Sequence, residues 1–272
     1  MARLTFTPDS SVVAEVRRSP NYGDRKADRR PDMIILHYTG MPAARDALDL
    51  LCSDGSGVSA HYFVFEDGRI IQLVPERRRA WHAGTALWAG ESDINSCSIG
   101  IEIANPGHDH GYPDFPKRQI AAVTTLCRGI LARNTIPPSR VLAHSDVAPT
   151  RKQDPGEKFP WRTLYESGVG HWVMPAPILE NAPVLSLGDL GESVAAMQDQ
   201  LNDYGYGLSV NGSYDPTTHD VVAAFQRHFR PARIDGMFDE STRATLRELL
   251  AQRERPKSVA GRTRAFERLA AS

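Results

Sequence analysis

Met33-Ile34-Ile35-Leu36-His37 is the stretch of this 272-residue chain around which the fold can be built. A continuous apolar run, without polar alternation, is typical of a strand that is covered on both faces of a sheet. His37 directly follows the run, so the strand carries a chemically versatile side chain to the rim of the sheet. We therefore predict a central strand over 33–36 with a functional residue at its end.

Two other stretches predict neighbours for this strand. Ser98-Ile-Gly-Ile-Glu-Ile103 alternates strictly, which places its isoleucines on one face and Gly100 and Glu102 on the other. Arg140-Val-Leu-Ala143 is a short apolar run that leads directly into His144. Both patterns indicate strands, and each ends near a residue able to take part in acid–base or metal chemistry.

A hairpin and a helix complete the predicted sheet domain. His61-Tyr-Phe-Val-Phe65 and Arg69-Ile-Ile-Gln-Leu-Val74 flank Asp67-Gly68, a dipeptide typical of tight β-turns. Residues 117–133 carry apolar side chains at helical spacing, and Pro116 suits the start of a helix. Strands mixed with helices predict an α/β domain with a mixed central β-sheet flanked by helices.

The chain changes its pattern after residue 172. Residues 173–187 hold three prolines and no clear period, which indicates a linker. Val210-Asn-Gly-Ser-Tyr-Asp215 and Ile234-Asp-Gly-Met-Phe-Asp239 form an internal repeat, in which a turn is followed by an aspartate suited to cap a helix. Together with an amphipathic stretch, the repeat predicts a small all-α domain with helices at 191–204, 216–229 and 240–251.

The expected organisation is an α/β domain over 1–172, a Pro-rich linker over 173–187, a three-helix domain over 188–251 and a basic tail over 252–272. Apolar residues make up 41% of the chain and the net charge is −1, which fits a globular protein without a field that attracts nucleic acid. Arg77-Arg78-Arg79 is expected to be a solvated run. No stretch approaches the roughly 20 apolar residues of a membrane span. We expect no nucleic-acid partner, no membrane span and a monomer.

The segment His144-Ser-Asp-Val-Ala-Pro-Thr-Arg-Lys-Gln-Asp154-Pro-Gly concentrates reactive side chains in a loop that its prolines keep from being a helix. If the loop brings His144 and Asp154 together, one further ligand completes a three-ligand zinc site with an open position, as in catalytic zinc centres. His37 is the best third ligand, because it ends a buried strand. Taken singly, each residue has a simpler interpretation, as a hydrogen-bonded histidine or a turn-forming aspartate.

Glu102 and Lys152 are the candidates for proton transfer and charge stabilisation. Glu102 lies beside Gly100, which leaves room for a group to approach, and is either solvated or directed into a polar cleft. In a zinc hydrolase such a carboxylate serves as general base and then protonates the leaving amine. Lys152, two residues before Asp154, is placed to stabilise a developing oxyanion. Its simpler interpretation is a solvated surface lysine.

Five motifs occur in a fixed order: Leu36-His-Tyr-Thr39, Ser59-Ala-His-Tyr-Phe63, Ala80-Trp-His-Ala-Gly84, Asn95 with Ser98-Ile-Gly-Ile-Glu102, and His144-Ser-Asp with Arg151-Lys-Gln-Asp-Pro-Gly156. Their order and spacing resemble zinc-dependent N-acetylmuramoyl-L-alanine amidases, in the branch of the anhydro-muramyl-peptide amidases and their envelope relatives. The resemblance covers about residues 15–172. Residues 186–250 resemble the helical peptidoglycan-binding module often fused to such amidases.

The resemblance implies a fold like that of peptidoglycan-recognition proteins and hydrolysis of the amide between N-acetylmuramic acid, or its 1,6-anhydro form, and L-alanine. It implies Zn²⁺ on His37, His144 and Asp154, with Glu102 as catalytic carboxylate and Lys152 as oxyanion stabiliser. Asp154, in place of the cysteine found in many relatives, matches this branch. Candidate contacts to peptidoglycan or muropeptide fragments are Tyr38, His61, Trp81, His82, Asn95 and Arg151. Packing is an equal alternative for His82, and for His61 we favour pairing with the backbone inside the hairpin.

Two other functions stay open at this point: a muropeptide-binding protein that does not cut, and a stem-peptide endopeptidase. The presence of all five residues of the implied catalytic set favours the enzyme. Cys52, Cys97 and Cys127 lie far apart, which fits a reducing compartment, and the last two are expected in the core. No apolar run of signal-peptide length begins the chain. We expect a cytoplasmic protein, with the periplasm or cell envelope as the alternative that a peptidoglycan-binding module suggests.

Overall fold

The computed structural model describes residues 6–180 and 182–254, and most of the predicted basic tail lies outside them. The strands are β1 (Glu15–Val16), β2 (Tyr22–Asp24), β3 (Met33–Tyr38), β4 (Tyr62–Val64), β5 (Ile70–Gln72), β6 (Arg78–Ala80), β7 (Ser98–Ile103) and β8 (Val141–Ala143). The α-helices are α1 (Ala44–Leu51), α2 (Ile94–Cys97), α3 (Lys117–Arg133), α4 (His144–Val147), α5 (Trp161–Glu166), α6 (Glu192–Tyr204), α7 (Pro216–Phe229) and α8 (Glu240–Glu254).

The central sheet has six strands in the order β1-β5-β4-β7-β3-β8 and mixes parallel with antiparallel pairs. β4 and β5 form the predicted antiparallel hairpin, with Phe63 opposite Ile71. β3 lies between β7 and β8 and runs parallel to both. β2 and β6 form a separate two-stranded sheet. The predicted mixed α/β architecture is confirmed.

Alternate residues of β3 pack into two different cores, which explains its continuous apolar run. Ile34 and Leu36 share a cluster with residues of α3 such as Val123. Met33 and Ile35 belong to a second cluster that continues without a break into α6, α7 and α8. All four strand residues are completely buried. A strand covered on both faces has no position at which a polar side chain would be solvated.

The internal repeat forms the two helix starts that its sequence predicts. Asp215 Oδ1 accepts a hydrogen bond from the Thr218 amide at 2.7 Å, and Asp239 Oδ1 accepts one from the Thr242 amide at 2.7 Å. Each aspartate therefore satisfies an amide that the helix leaves unpaired. α7 has the predicted bounds, and α8 extends a few residues further than predicted.

Two buried glutamines, which the repeat does not reveal, hold its turns. Gln198 Oε1 accepts from the Asn211 amide and the amide that follows it, both at 3.0 Å. Gln226 Oε1 accepts from the Asp235 amide and its neighbour in the same way. Gln198 precedes its turn by 13 residues and Gln226 by 9, so aligning the two repeats does not align the glutamines.

The C-terminal helical region, defined as residues 188–254, packs on the α/β region along the segment around Trp88. The Trp88 ring lies over Gly205, where an added Cβ would approach the ring to 2.5 Å. The Ala89 amide donates to the Gly205 carbonyl at 2.7 Å. Since Trp88 is 2% exposed, this contact is a sealed part of the core.

The Pro-rich segment before this region also contacts it. The Ala176 amide donates to Thr245 Oγ1 at 3.1 Å, and the Ala176 carbonyl accepts from Ser241 Oγ at 2.6 Å. Leu185 and Phe238 exchange two backbone hydrogen bonds. The segment is thus held at α8 near its start and at the turn before α8 near its end.

Some sequence predictions need correction. Arg78 and Arg79 are not a solvated run: they lie on β6, where Arg79 pairs with Asp93 at 2.9 Å and Arg78 with Asp24. Helix α1 was not predicted, although its spacing of apolar residues is helical. The segment from His144, predicted to be a loop, begins with the one-turn helix α4 before its first proline. The free thiols of Cys97 and Cys127 are fully buried, as expected. None of the helices in the described part of the chain combines the length and apolar composition needed to cross a bilayer.

Candidate active site

Three neighbouring strands deliver reactive side chains to the same rim of the sheet. In the parallel pair of β3 and β7, His37 lies opposite Glu102. On the other side of β3, Leu36 pairs with Ala143, so His144 follows at the level of His37. Because the carboxyl ends of parallel strands meet at one edge, the register brings these side chains together before any loop is considered.

Asp154 joins the two histidines to form a buried triangle of ligand atoms. The distances are 2.9 Å between His37 Nδ1 and His144 Nδ1, 3.1 Å between His37 Nδ1 and Asp154 Oδ2, and 3.0 Å between His144 Nδ1 and Asp154 Oδ2. Among the residues that the structure describes, this is the one group of three or more His, Cys, Asp or Glu with spacing suited to a metal ion. The three residues predicted as ligands therefore lie together.

The position of the proton on His144 follows from its partners. His144 Nε2 lies 3.0 Å from the Ala83 carbonyl, which can only accept, so Nε2 carries the hydrogen. In a neutral imidazole Nδ1 is then a bare lone pair, and it faces the Asp154 carboxylate. Two lone pairs at this distance repel each other unless a cation lies between them.

The same conclusion holds for His37 through a chain of hydrogen bonds. Ser98 Oγ donates to the Ile94 carbonyl at 2.6 Å, so it accepts from His82 Nε2 at 3.1 Å. His82 Nδ1 is then the acceptor for His37 Nε2, at 3.0 Å. His37 Nδ1 is left without a hydrogen and faces the triangle. When both imidazoles are neutral, all three corners of the triangle are lone pairs.

Gly100 allows the His82 ring to lie against β7. A Cβ at this position would come within 2.4 Å of the ring, so a glycine is required for the approach. The group that approaches Gly100 is therefore the side chain that orients His37. His82 thus has a defined role in orienting His37, one corner of the triangle.

The charges of the triangle also suit a metal. Burial, with His144 alongside, lowers the pKa of His37 to about 4, so the imidazole is neutral. Burial opposes ionisation of Asp154, but His144 and His37 hold the pKa of this carboxyl well below its ordinary value. Zinc with bonds of about 2.0 Å would separate tetrahedral ligand atoms by roughly 3.3 Å, close to the sides of the triangle. The residues present fit a metal ion.

Glu102 and Lys152 line the same cleft as the triangle. Glu102 Oε2 is buried and has no hydrogen-bond partner in the described part of the chain. Burial and then Asp154 raise the pKa of Glu102 well above its ordinary value, whereas Lys152 acts in the opposite direction. The Lys152 ammonium likewise forms no ion pair with the described residues. A buried carboxylate oxygen without a partner, such as Glu102 Oε2, indicates a site that acquires its partner from a ligand or water.

A cleft of about 450 Å³ opens over the triangle. Four of the predicted substrate contacts line it: Tyr38, Trp81, His82 and Arg151. One wall is apolar, a feature that the sequence did not predict. Its side chains include Leu50 of α1 and Val58, which are 45% and 40% exposed. The cleft can therefore hold a ligand with both polar and apolar parts.

Two predicted substrate contacts do not reach the cleft. His61 is completely buried: its Nδ1 accepts from the Gly100 amide at 3.0 Å and its Nε2 faces the Arg78 carbonyl at 3.0 Å. Asn95 Oδ1 accepts from the His82 and Ala83 amides, at 3.0 and 2.9 Å. Both side chains satisfy backbone groups inside the fold, so we correct these two assignments. Backbone pairing was the favoured interpretation of His61.

Arg151 lines the cleft, but its guanidinium is engaged by the backbone. Arg151 Nε and Nη2 donate to the Thr85 carbonyl at 2.9 and 2.7 Å, and Nη2 also bonds the Ala83 carbonyl. The Ala83 carbonyl is the acceptor that orients His144. Arg151 therefore helps to fix the carbonyl that orients His144, a role that the sequence did not reveal.

Comparison with known proteins agrees with this geometry. Residues 27–157 match the N-acetylmuramoyl-L-alanine amidase family, and residues 191–246 match a peptidoglycan binding domain. The N-acetylmuramoyl-L-alanine amidase AmiD of Escherichia coli is 35% identical over 241 residues, which are 81% of this chain and 83% of AmiD. The chain belongs to the N-acetylmuramoyl-L-alanine amidase family. The 1,6-anhydro-N-acetylmuramyl-L-alanine amidase AmpD of Salmonella typhimurium is 35% identical over 174 residues, 57% of this amidase and 90% of AmpD.

Solved structures extend the likeness to both regions of the amidase. The complex of E. coli AmiD with anhydro-N-acetylmuramic acid-L-Ala-D-γ-Glu-L-Lys superposes with a TM-score of 0.71 at 34% identity, covering 84% of this chain and 91% of AmiD. AmpDh3 of Pseudomonas aeruginosa, in complex with anhydromuramic pentapeptide, gives a TM-score of 0.67 at 31% identity, covering 92% and 99%. The resemblance read from the five motifs is confirmed.

Proposed function

We propose that this amidase hydrolyses the bond between the lactyl group of N-acetylmuramic acid, or its 1,6-anhydro form, and the L-alanine of the stem peptide. We further propose that the metal on His37, His144 and Asp154 is zinc. The observation that carries the proposal is the convergence of His37, His144 and Asp154 beside Glu102, whose Oε2 is buried and has no hydrogen-bond partner among the described residues. The anhydromuramic peptides in the AmiD and AmpDh3 complexes support the substrate class.

When bound, zinc would supply Lewis acidity that polarises the scissile carbonyl and lowers the pKa of a water. Glu102 accepts a proton from the attacking water and returns it to the L-alanine nitrogen as the C–N bond breaks. The Lys152 ammonium places positive charge where the carbonyl oxygen becomes negative. The products are a lactyl carboxylate and a stem peptide with a free amino group.

The residues around the cleft would position the substrate. Tyr38 and Trp81 would contact the muropeptide, and the apolar wall that includes Leu50 and Val58 would exclude water from the reacting amide. Excluding water strengthens the interaction of Lys152 with the developing oxyanion, because the local dielectric constant falls.

We infer that the division into 1–172, 173–187 and 188–251 reflects a catalytic part and a part that binds glycan or stem peptide. The match to a peptidoglycan binding domain supports this role for the helices. A second contact with the polymer would raise the effective concentration of scissile bonds at the cleft. A monomeric state and a cytoplasmic location stay predictions, which light scattering and cell fractionation can check.

The test is product analysis by mass spectrometry after the zinc-loaded amidase acts on a mixture of anhydro-muramyl peptides and intact sacculi. Glu102→Gln retains the size of the side chain and removes the base. Glu91→Gln, at a carboxylate that pairs with Arg29 away from the cleft, is the matched control. We expect free stem peptide beginning with L-alanine from the wild type and from Glu91→Gln, and none from Glu102→Gln.

Each rival function predicts a different result. Cleavage within the stem peptide, with the muramyl amide left intact, would identify an endopeptidase. Retention of muropeptide without any product, in a protein that binds zinc, would identify a binding protein. Either result would overturn the proposed reaction, whereas the ratio of soluble to polymeric substrate consumed shows which form is preferred.

A further inference from the structure

Asp146 connects the metal-binding loop to the C-terminal helical region. It lies two residues after the metal ligand His144 and is 1% exposed. Its Oδ2 accepts from the Ala143 amide at 2.8 Å and from His228 Nδ1 at 2.7 Å. Its Oδ1 accepts from the Tyr206 hydroxyl at 2.6 Å. Two of its three donors therefore belong to the C-terminal helical region.

The bond to Ala143 determines how His144 leaves β8. It closes the turn on one side, and the Ala148 amide closes it on the other by donating to the His144 carbonyl at 3.0 Å. The Ser145 amide, inside the turn, donates to the Asp154 carbonyl at 3.0 Å. A shift of Asp146 would therefore move the backbone of two of the three metal ligands, His144 and Asp154.

The two donors from the helical region are held rigidly. The His228 ring is stacked between Trp161 of the α/β region and Phe229, with centroid distances of 3.7 and 3.8 Å. The Tyr206 ring packs edge-on against Trp88 at 4.9 Å. Both donors are almost completely buried. Because an unpaired buried carboxylate costs several kilocalories per mole, Asp146 is stable in this position only while the helical region supplies its donors.

We propose that the C-terminal helical region supports the metal centre, and that His228 and Tyr206 are positioning residues that act on His144 through Asp146. This inference rests on the proposed metal site and adds a role to polymer binding. A region that only tethers the enzyme to its substrate would leave the metal affinity unchanged when its contacts are altered. If the region instead supports the metal-binding loop, altering these contacts changes the metal affinity.

The experiment compares Tyr206→Phe with Tyr214→Phe in the full chain. Tyr214 is equally buried, and its hydroxyl donates at 2.6 Å to the Gly236 carbonyl inside the helical region. Each variant thus removes one buried hydroxyl with the same hydrogen-bond length. Zinc affinity is measured by competition with a chromophoric chelator, together with the unfolding midpoint and the kcat and KM for a soluble anhydro-muramyl peptide.

Tyr206→Phe is expected to weaken zinc binding by about 3- to 10-fold, less than the roughly 10- to 100-fold of groups that bond a metal ligand directly, because Tyr206 acts on His144 through Asp146. Its kcat falls while its KM stays close to wild type. Tyr214→Phe lowers the unfolding midpoint to a similar extent but leaves zinc affinity and kcat unchanged. The absorption spectrum of the Co²⁺-loaded protein reports the ligand geometry independently of activity, and it shifts only in Tyr206→Phe.

A second pair of variants tests His228. His228→Phe keeps the stacked ring and removes the donor, and we expect at least a tenfold loss of zinc affinity. His228→Asn places an amide nitrogen near the position of Nδ1 and is expected to recover part of that affinity. If Tyr206→Phe and His228→Phe bind zinc as tightly as the wild type and Tyr214→Phe, the positioning role is refuted while the proposed reaction stands. A wild-type protein that binds no zinc refutes both.

Discussion

At the scale of single residues, two oxygen atoms decide which nitrogen of each histidine is free for a metal. The Ala83 carbonyl fixes the hydrogen of His144 on Nε2, and Ser98 Oγ does the same for His37 through His82. Partners of this kind orient metal ligands and raise their basicity. His82 therefore matters for the metal as well as for packing.

Replacing His82 with phenylalanine tests this directly. The ring still fits over Gly100, but the His37 Nε2 hydrogen loses its buried acceptor. We expect zinc affinity to fall by about 10- to 100-fold in chelator competition. His110→Ala, at an exposed histidine, is the control and should bind zinc like the wild type. Unchanged affinity in His82→Phe would mean that His37 is oriented by other contacts.

Lys152→Met tests the role of the lysine that lines the cleft. If Lys152 stabilises the oxyanion, its loss lowers kcat by about 100- to 1,000-fold and changes KM little, because the interaction forms only in the transition state. Lys158→Met removes a lysine that pairs with Asp114 outside the cleft and should leave kcat unchanged. A raised KM with an unchanged kcat would instead assign Lys152 to substrate binding.

At the scale of elements, β7 depends on one glycine. Gly100→Ala pushes a Cβ into the His82 ring, and we expect the free energy of unfolding to fall by about 1–3 kcal/mol, with weaker zinc binding. Gly23→Ala, on β2, meets no atom within 4 Å and should change the stability by less than about 0.5 kcal/mol. Equal stabilities of the two variants in urea titrations would show that His82 can move without cost.

The two ends of α6 offer a second matched pair of glycines. Gly191 and Gly205 both have positive φ angles, 118° and 136°, but only Gly205 has a close neighbour, the Trp88 ring. Gly205→Ala should lower the free energy of unfolding by about 1–3 kcal/mol more than Gly191→Ala, because it adds a clash to the backbone strain. If thermal unfolding shows no difference, the Trp88 contact contributes nothing to docking.

At the scale of the whole molecule, one apolar cluster joins the sheet to the C-terminal helices, so the two regions should unfold together. His171 lies at this junction, with its Nδ1 2.9 Å from the Tyr204 hydroxyl of α6. Burial lowers the pKa of His171 to about 4, and His228 and Arg253 add to the effect. The folded state therefore holds this imidazole neutral.

The lowered pKa of His171 predicts that the free energy of unfolding decreases as the pH is lowered. The unfolded chain binds a proton at His171 near its ordinary pKa of about 6.5, whereas the folded chain binds it only near 4. The unfolded state thus binds more protons between these values, and the free energy of unfolding decreases as the pH falls through that window. His171→Asn cannot be charged, so urea titrations at about pH 7 and about pH 5.5 should show a smaller decrease for it than for the wild type. If the free energy of unfolding decreases equally in the wild type and in His171→Asn, the pH dependence arises from other groups.

The sequence by itself determined the parts of this protein in which local pattern and tertiary environment agree. The unbroken apolar run of β3 requires burial on both faces, the periodicity of 117–133 gives α3 with its bounds, and Asp215 and Asp239 cap helices through amides three residues away. The motifs also selected His37, His144 and Asp154, which the structure brings together in one group with spacing suited to a metal ion.

The tertiary structure alone decided what depends on residues distant in the chain. The apolar wall from α1, the burial of His61 and the His37–His82–Ser98 chain all follow from packing between separate elements. The contact of Asp146 with His228 spans 82 residues. Periodicity and spacing carry no information on such pairs, because a side chain's partner is fixed only when the sheet register and the docking of the helices are fixed.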